Sequence, residues 1–464
     1  MNGLTNAANY TLTENGAVTH KSTMDGLMDL FAMGAAYRSR SDEDVIVLFK
    51  DAFIADPVYA LKCLFYIRDV RGGQGERRFF RVATKWLASY ETDAMARNLI
   101  HVPEFGRWDD LFVFIGTPLE DQALNIIKHQ LALDVQCKTP SLLGKWMPSE
   151  NTSSHKTRRT ANKVRKFMGM TPKQYRKTLS ILRNHINLVE SKMSANEWSE
   201  INYEAVPSKA NVLYRKAFLR HDKDRRDSYL NAVENNQAKI NASTNFPHDI
   251  AHQYGVFHSW SSNYAKVDAT VEALWKALPD YGLDNTIVVA DGSGSMYTPV
   301  DKKSSVQAIE VANALAIYCA EHCSGEFKDR YITFSSRPQL IKLNGKSLFE
   351  KLQVAYKHNE VANTNIKAVF ELILNTAITN EMKQEDLPQN ILILSDMEFD
   401  SATRGFAAIN ERLFTTIANE YAKYGYKLPK LIFWNLCGRS NTIPVTQNEL
   451  GVALVSGFSL NIMK

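Results

Sequence analysis

The sequence predicts two architectures in one chain, an all-helical half built from short repeating helices and, after it, a doubly wound α/β domain. Three observations carry that expectation. From Met24 to about Tyr229 apolar residues recur at helical spacing, as in Leu27, Leu30 and Phe31, then Val45, Leu48, Phe49 and Ala52, then Leu61, Leu64 and Phe65. After about residue 284 the pattern changes to short β-branched runs alternating with amphipathic helices. With 464 residues, 45% of them apolar, the chain is long enough for two or three domains and can bury a large core without staples.

Taken in order, residues 1–22 are polar and without a sustained period, with turn chemistry at Thr13-Glu14-Asn15-Gly16, and read as an N-terminal arm. The helical half is expected over 23–260. Its helices of about 10–15 residues, joined by short Gly-, Pro- or Asp-bearing loops, suit an irregular solenoid in which each pair buries its face against its neighbours. Asp56-Pro57 opens one of them, since Asp caps a first turn and Pro fits its first position. A connecting helix is expected within 261–283. The α/β domain, 284–464, has runs at Thr286–Ala290, Tyr331–Phe334, Asn390–Leu394 and Lys430–Trp434, a weaker one at Gly451–Val455, and helical patterns near 305–323, 347–357, 364–379 and 406–424. Apolar strands alternating with helices argue for a parallel sheet covered on both faces. Little length follows the last run, so an N-terminal segment is a candidate to cover that face.

Composition narrows the setting. The five cysteines are odd in number and dispersed except for Cys319 and Cys323, an i,i+4 pair in an apolar helical pattern, which fits a reduced, cytoplasmic protein. No basic-then-apolar leader and no run of about 18 apolar residues occurs, so neither a signal peptide nor a membrane partner is expected. The formal net charge of +5 hides an asymmetry: residues 138–226 hold 20 Lys and Arg against 7 Asp and Glu, a net of +13 that leaves −8 for the rest. A basic middle between acidic ends is a partner signal.

In an open α/β sheet, ligands bind beyond the carboxyl ends of the strands. After the first run comes Asp291-Gly-Ser293-Gly-Ser295, after the third Ser395-Asp396, and before a later helix Asn363-Thr364-Asn365. Carboxylates and hydroxyls on one rim are the hard oxygen donors that Mg²⁺ or Mn²⁺ prefers. The bland alternative is a glycine-rich turn that caps the next helix. The spaced Asp-x-Ser-x-Ser, Thr and Asp resemble the metal-ion-dependent adhesion site of von Willebrand factor type A domains. That resemblance implies that Ser293, Ser295 and Thr364 touch the ion, that Asp291 and Asp396 act directly or through water, and that a partner's oxygen fills an open position. Where relatives carry Gly-x-Thr-Asp this chain has Ala362-Asn363-Thr364-Asn365, a departure that bears on metal affinity.

The helical half carries Arg68-Asp-Val-Arg-Gly-Gly-Gln-Gly-Glu-Arg-Arg78, Phe105-Gly-Arg-Trp-Asp-Asp110, Gly144-Lys-Trp-Met-Pro-Ser-Glu-Asn-Thr-Ser154, Trp198-x-x-Ile-x-Tyr203 and Val206-Pro-Ser-Lys-Ala210. With a type A domain following, the chain from about Leu12 to Phe458 resembles the Ro autoantigen (TROVE) architecture, a ring of helical HEAT-like repeats closed by a metal-binding type A domain, and more closely an uncharacterised family on that plan. The resemblance implies a non-enzymatic protein that binds structured or single-stranded RNA. Between residues 156 and 192 the residues themselves agree: Lys156, Arg158, Arg159, Lys163, Arg165, Lys166, Lys173, Arg176, Lys177, Arg183 and Lys192 face one acid, Glu190. Such a stripe neutralises phosphates, although a solvated helix face is the ordinary reading of a charge run. Lys163, Lys166, Lys173 and Lys177 fall on two successive helices, because Thr171-Pro172 reads as a helix start. Tyr175, Phe167 and Trp146 are either stacking platforms or core.

Other constellations are weaker. Arg71-Gly-Gly-Gln-Gly75 lacks the Gly-Lys-Ser/Thr of a P-loop and reads as a tight connection, with Arg68, Arg71, Arg77 or Arg78 pairing to acids of the next repeat. His248 and His252 have zincin spacing, but Asp249 replaces the usual Glu. His221-Asp222 with Asp224-Arg225-Arg226 reads as a paired surface rather than a nuclease. The alternative to RNA binding is a metal-dependent protein-protein scaffold in which the basic stripe meets an acidic protein.

Overall fold

The computed structural model describes residues 9–14, 16, 18–257, 267–359, 364–399, 411–445 and 451–464. By internal contacts the chain divides into two compact units, Met1–Cys63 with Ala242–Lys464, and Leu64–Asn241. Helical spacing groups residues 23–260 together, whereas by contacts 23–63 and 242–260 belong to the unit that holds the α/β sheet.

In the first unit β1 (Tyr10–Leu12) and β2 (Val18–His20) pair antiparallel, so the expected arm contains a hairpin. α1 (Gly26–Met33) is capped by Asp25, and α2 (Asp42–Ala55) by a reciprocal Ser41–Asp44 capping box. After α3 (Pro57–Arg68) the chain enters the second unit and returns with α14 (Pro247–Ala251) and α15 (Ala269–Lys276). The sheet then forms from β3 (Thr286–Asp291), β4 (Arg330–Phe334), β5 (Leu340–Lys342), β6 (Asn390–Ser395), β7 (Lys430–Asn435) and β8 (Val452–Ser456), in spatial order β5-β4-β3-β6-β7-β8. All neighbours run parallel except β5, an antiparallel edge that the sequence reading had not marked. Three residues long, β5 carries too little periodicity to register.

The intervening helices are α16 (Ala308–His322), α17 (Leu348–Lys357), α18 (Ile366–Thr379) and α19 (Glu411–Lys423). Every residue from Ala308 to Ala320 is buried, and the two polar ones, Glu310 and Asn313, are hydrogen-bonded, to His252 and to Ile309 O. That burial accounts for the Cys319–Cys323 spacing, and all five cysteines are free thiols. α18 packs Ile366, Val369 and Phe370 with Ile287, Val289, Ile332 and Ile391 of the sheet. Beside β8, the Ser456 hydroxyl donates to Phe31 O at 2.9 Å and accepts from the Ala35 amide at 3.3 Å, seating the end of α1 on the last strand.

The second unit is helical throughout its regular elements: α4 (Arg77–Tyr90), α5 (Thr92–Asn98), α6 (Val102–Phe105), α7 (Glu120–Gln136), α8 (Leu143–Trp146), α9 (His155–Phe167), α10 (Pro172–His185), α11 (Val189–Ser194), α12 (Ser208–His221) and α13 (Lys223–Glu234). Two glycines make its tightest joints. A Cβ on Gly73 would lie 2.0 Å from the Tyr66 carbonyl oxygen, and one on Gly106 2.5 Å from an Asp110 carboxylate oxygen. Gly106 thus admits the buried ion pair of Arg68 Nη2 with Asp110 Oδ2, 2.7 Å, on which Arg81 Nε also closes at 2.6 Å. No described helix is long and apolar enough to cross a membrane.

Two predictions follow from these contacts. Asp110→Ala strands the guanidinium of Arg68 in a dry site and is expected to cost about 3–5 kcal/mol in urea unfolding, because an unpaired buried charge is not solvated; a cost under about 1 kcal/mol, the range of an exposed pair, would contradict the buried-pair account. His252 Nδ1 lies 2.7 Å from Glu310 Oε2, a hydrogen bond that raises the imidazole pKa. Its stabilisation is therefore complete below about pH 6.5, the unfolded value, and is lost as pH rises through the raised folded value. Melting temperature measured against pH should lose that component in His252→Gln; an unchanged profile would remove the pair from the account.

Candidate functional site

The chain leaves β3 toward β4 and β5 on one side and later places β6 on the other, so the strand order reverses between β3 and β6. At such a switch point the two following loops diverge and leave a crevice at the carboxyl ends. Asp291 ends β3, and Ser395 ends β6 directly before Asp396. Asp291 and Asp396 are each 1% exposed.

Asp291 Oδ1 accepts the Ser293 amide at 2.9 Å, and Oδ2 accepts the Ser395 hydroxyl at 2.6 Å. Ser293 Oγ lies 2.9 Å from Ser295 Oγ, and the Ser295 hydroxyl also bonds Asp396. Asp396 takes the Glu398 amide at 3.2 Å and Arg439 Nη2 at 2.9 Å. Met397, between these acids, has a φ of 65°, a left-handed conformation that costs a side-chain-bearing residue of order 1–3 kcal/mol. Burial is the largest cause raising the pKa of Asp291, with the negative charge of Asp396 adding to it. Burial also raises Asp396, against the opposing pull of Arg439.

Four of the five expected ligands are thus linked by hydrogen bonds, directly or through Ser395. Thr364 is buried one residue before Asn365, whose Oδ1 caps α18 by accepting the Ala368 amide at 3.1 Å. Its neighbours Ala362 and Asn363 lie outside the described residues. The donor set is two buried carboxylates and three hydroxyls, all hard oxygens, and it fits a small divalent cation. No cluster of three or more His, Cys, Asp or Glu suited to a metal occurs among the described residues, so hydroxyls must supply part of any coordination.

Sequence reasoning missed the neighbours of this rim. Arg439 also reaches Glu14 Oε2 at 2.9 Å, the Glu14 amide donates to Glu398 Oε2 at 2.7 Å, and the Thr13 hydroxyl donates to Phe399 O at 2.6 Å. Ser440 bonds Glu398, and His20 pairs with Ile443. Arg439 stands just beyond β7, so the rule that located Asp291 and Asp396 would have found it had it been applied to every strand.

In the second unit, Ser154 caps α9, and Thr171 with Gln174 forms a capping box that starts α10 at Pro172. The basic stripe therefore occupies two helices, as Thr171-Pro172 indicated. Lys156, Arg159, Lys163 and Lys166 follow one another at spacings of three, four and three on α9, opposite the buried Ala161 and Val164. Lys156, Arg158, Arg159, Lys166, Lys173 and Lys177 are exposed and form no ion pair among the described residues. The other three expected contacts are compensated from outside the 156–192 window: Lys163 by Glu120 at 2.6 Å, Arg165 by Glu150 at 2.8 Å and Arg176 by Glu150 at 3.5 Å. Tyr175 is core, donating to Pro148 O at 2.7 Å, while Trp146 is half-buried under the Arg107 guanidinium, 3.8 Å from its ring centre.

The weaker constellations resolve into packing. His248 stacks on Phe246 and meets Phe458 edge-on, whereas His252 bonds Glu310, so the pair does not converge. Asp222 accepts from Tyr203 and Arg225, each at 2.8 Å, and His221 stacks on Trp198.

Comparison with known proteins returns matches across the whole chain. Residues 285–464 match the family described as domain of unknown function DUF7788. A protein of Acanthamoeba polyphaga mimivirus described as uncharacterised is 29% identical over 500 residues, spanning 98% of this chain and 84% of the relative. Among solved structures the Ro (RSR) protein of Deinococcus radiodurans aligns with a TM-score of 0.49 and 16% identity, over 95% of this chain and 98% of that one. A second family model, described as domain of unknown function DUF2828, matches residues 13–166 and 146–281, more than half of the sequence, and to that family the chain belongs.

Proposed function

We propose that this protein is a non-enzymatic RNA-binding protein of Ro-like build, in which the helical half holds structured or single-stranded RNA and the α/β rim carries a divalent metal for a partner. The observation that carries the RNA reading is the set of six exposed cations on α9 and α10 that form no ion pair among the described residues. A folded protein seldom keeps so many like charges on adjacent helices without a counter-charge, because they repel one another in the compact state. Phosphates relieve that repulsion and release condensed counterions, which makes such binding salt-dependent.

The metal reading rests on the chemistry of the rim. Mg²⁺ or Mn²⁺ held by Ser293, Ser295 and Thr364, with Asp291 and Asp396 direct or through water, would offset the burial cost that both carboxylates carry. The bound ion would supply positive charge for an incoming oxygen ligand. Among the described residues the rim's hydroxyls and carboxylates are spent on one another, Ser395 on Asp291 and Ser295 on Asp396, which suits capture of an ion and a partner's oxygen.

The two parts are tested separately. Arg159→Glu, Lys166→Glu, Lys173→Glu and Lys177→Glu together should weaken binding of a labelled single-stranded RNA roughly tenfold or more and flatten the log K against log salt slope by up to about 3. Unchanged affinity and slope would remove the stripe from the RNA surface. Mg²⁺ at 100 times its Kd should stabilise the native chain by about 2.7 kcal/mol, read as a rise in melting temperature that Asp291→Ala abolishes. An equal rise in the variant would place the ion elsewhere.

A further inference from the structure

Arg71-Gly-Gly-Gln-Gly75 and Phe105–Asp110 are packed joints around which guanidinium groups crowd. We propose that Arg77, Arg81 and Arg107 form a separate anion site that takes a phosphodiester of an RNA backbone beside the Trp146 ring.

The charges at this joint do not balance. Arg68 and Asp110 are fully buried and pair at 2.7 Å, which closes the inner half. Outside them Asp109 is shared by Arg81 at 2.9 Å and Arg107 at 2.6 Å. Arg77 sits one turn before Arg81 on the same face of α4, is exposed, and has no ion pair among the described residues. Four guanidinium groups thus meet two carboxylates, and the excess lies on the solvent side. Although the Arg77 side chain reaches solvent, the surrounding protein mass and then the charges of Arg107 and Arg81 pull its pKa below the usual arginine range.

The donors are also positioned. Arg107 spends Nε and Nη2 on the two Asp109 oxygens, at 2.8 and 2.6 Å, with its Cζ 3.8 Å from the Trp146 ring centre. Arg81 spends Nε on Asp110 and Nη2 on Asp109. Each is therefore fixed at one edge of its fork and retains Nη1, and Arg77 contributes a whole fork. Fixed guanidinium forks match the oxygens of a phosphate better than flexible ammonium groups do. A backbone phosphodiester is favoured over an acidic peptide because the half-buried Trp146, whose ring Arg107 covers from one side, still puts aromatic surface beside the site for a neighbouring base.

This inference rests on the RNA reading, and the test separates the two. The full chain is titrated with a labelled single-stranded RNA at several salt concentrations, alongside Arg77→Gln and Arg77→Lys, each first shown to melt like the native protein. Arg77 forms no ion pair or side-chain hydrogen bond among the described residues, so both should fold. Arg77→Gln is expected to weaken binding about five- to tenfold and to lower the salt slope by about 0.7, one single-strand phosphate, while Arg77→Lys keeps most of the affinity. Native-like affinity and slope in Arg77→Gln, with the α9 and α10 variant impaired, overturns the anion site alone. No binding by the native chain overturns the RNA reading itself. Displacement of the RNA by inorganic phosphate at similar concentration would identify a free phosphate as the occupant and overturn the phosphodiester assignment.

Discussion

The first unit is organised around the burial of two carboxylates side by side, Asp291 at the end of β3 and Asp396 just past the end of β6. Parallel pairing in register, Ala290 against Leu394, forces these chain positions together. A buried carboxylate is expensive unless hydrogen bonds and an opposite charge meet it. Here the response is local and layered: serine hydroxyls and amides fill the lone pairs, Met397 adopts a strained conformation, and Arg439 brings a cation from the end of the next strand. Arg439 then draws in Glu14, so the hairpin of the N-terminal segment is tied to the same rim. A divalent ion would compete with Arg439 for Asp396, or share it by leaving Arg439 on the outer oxygen. Either arrangement couples occupancy of the rim to the seating of residues 13 and 14.

The second unit treats charge differently. Its buried charges, Arg68 and Asp110, are closed by two guanidinium nitrogens on one carboxylate oxygen, with Arg81 on the other, in a space that a glycine leaves open. Six exposed cations on α9 and α10 form no ion pair among the described residues. The inner pair contributes specificity of packing more than stability, since well-packed apolar residues often replace buried ion pairs without loss. The mutual repulsion of this exposed set is a cost that salt screens and that the proposed polyanion would offset.

Much of this was legible before any coordinates. Five of the six sheet strands follow from β-branched runs, and Asp291, Ser293, Ser295 and Asp396 from the rule that ligands gather past strand ends. Thr171-Pro172 announced the break between the two basic helices. What was not legible depended on tertiary pairing. β5 is too short to carry a period, and residues 24–63 show helical spacing without showing which core they join. Glu120 and Glu150 lie outside the basic window in sequence yet neutralise Lys163, Arg165 and Arg176 in space.

That last correction sharpens the functional argument. A charge run read from sequence counts every lysine and arginine equally, but a cation held by a carboxylate at 2.6–2.8 Å offers little to a phosphate beyond what water already provides. Removing the compensated residues leaves Lys156, Arg159 and Lys166 on α9 and Lys173 and Lys177 on α10, with Arg158 beside them. Their spacing is helical on each side of the Thr171 cap, so the break between helices turns one stripe into two short ones. Two short rows of point charges suit a flexible or bent backbone better than a straight rod, because each row can follow the phosphates over a few nucleotides only. On the RNA reading proposed above, single-stranded or looped RNA fits these two rows better than an extended duplex.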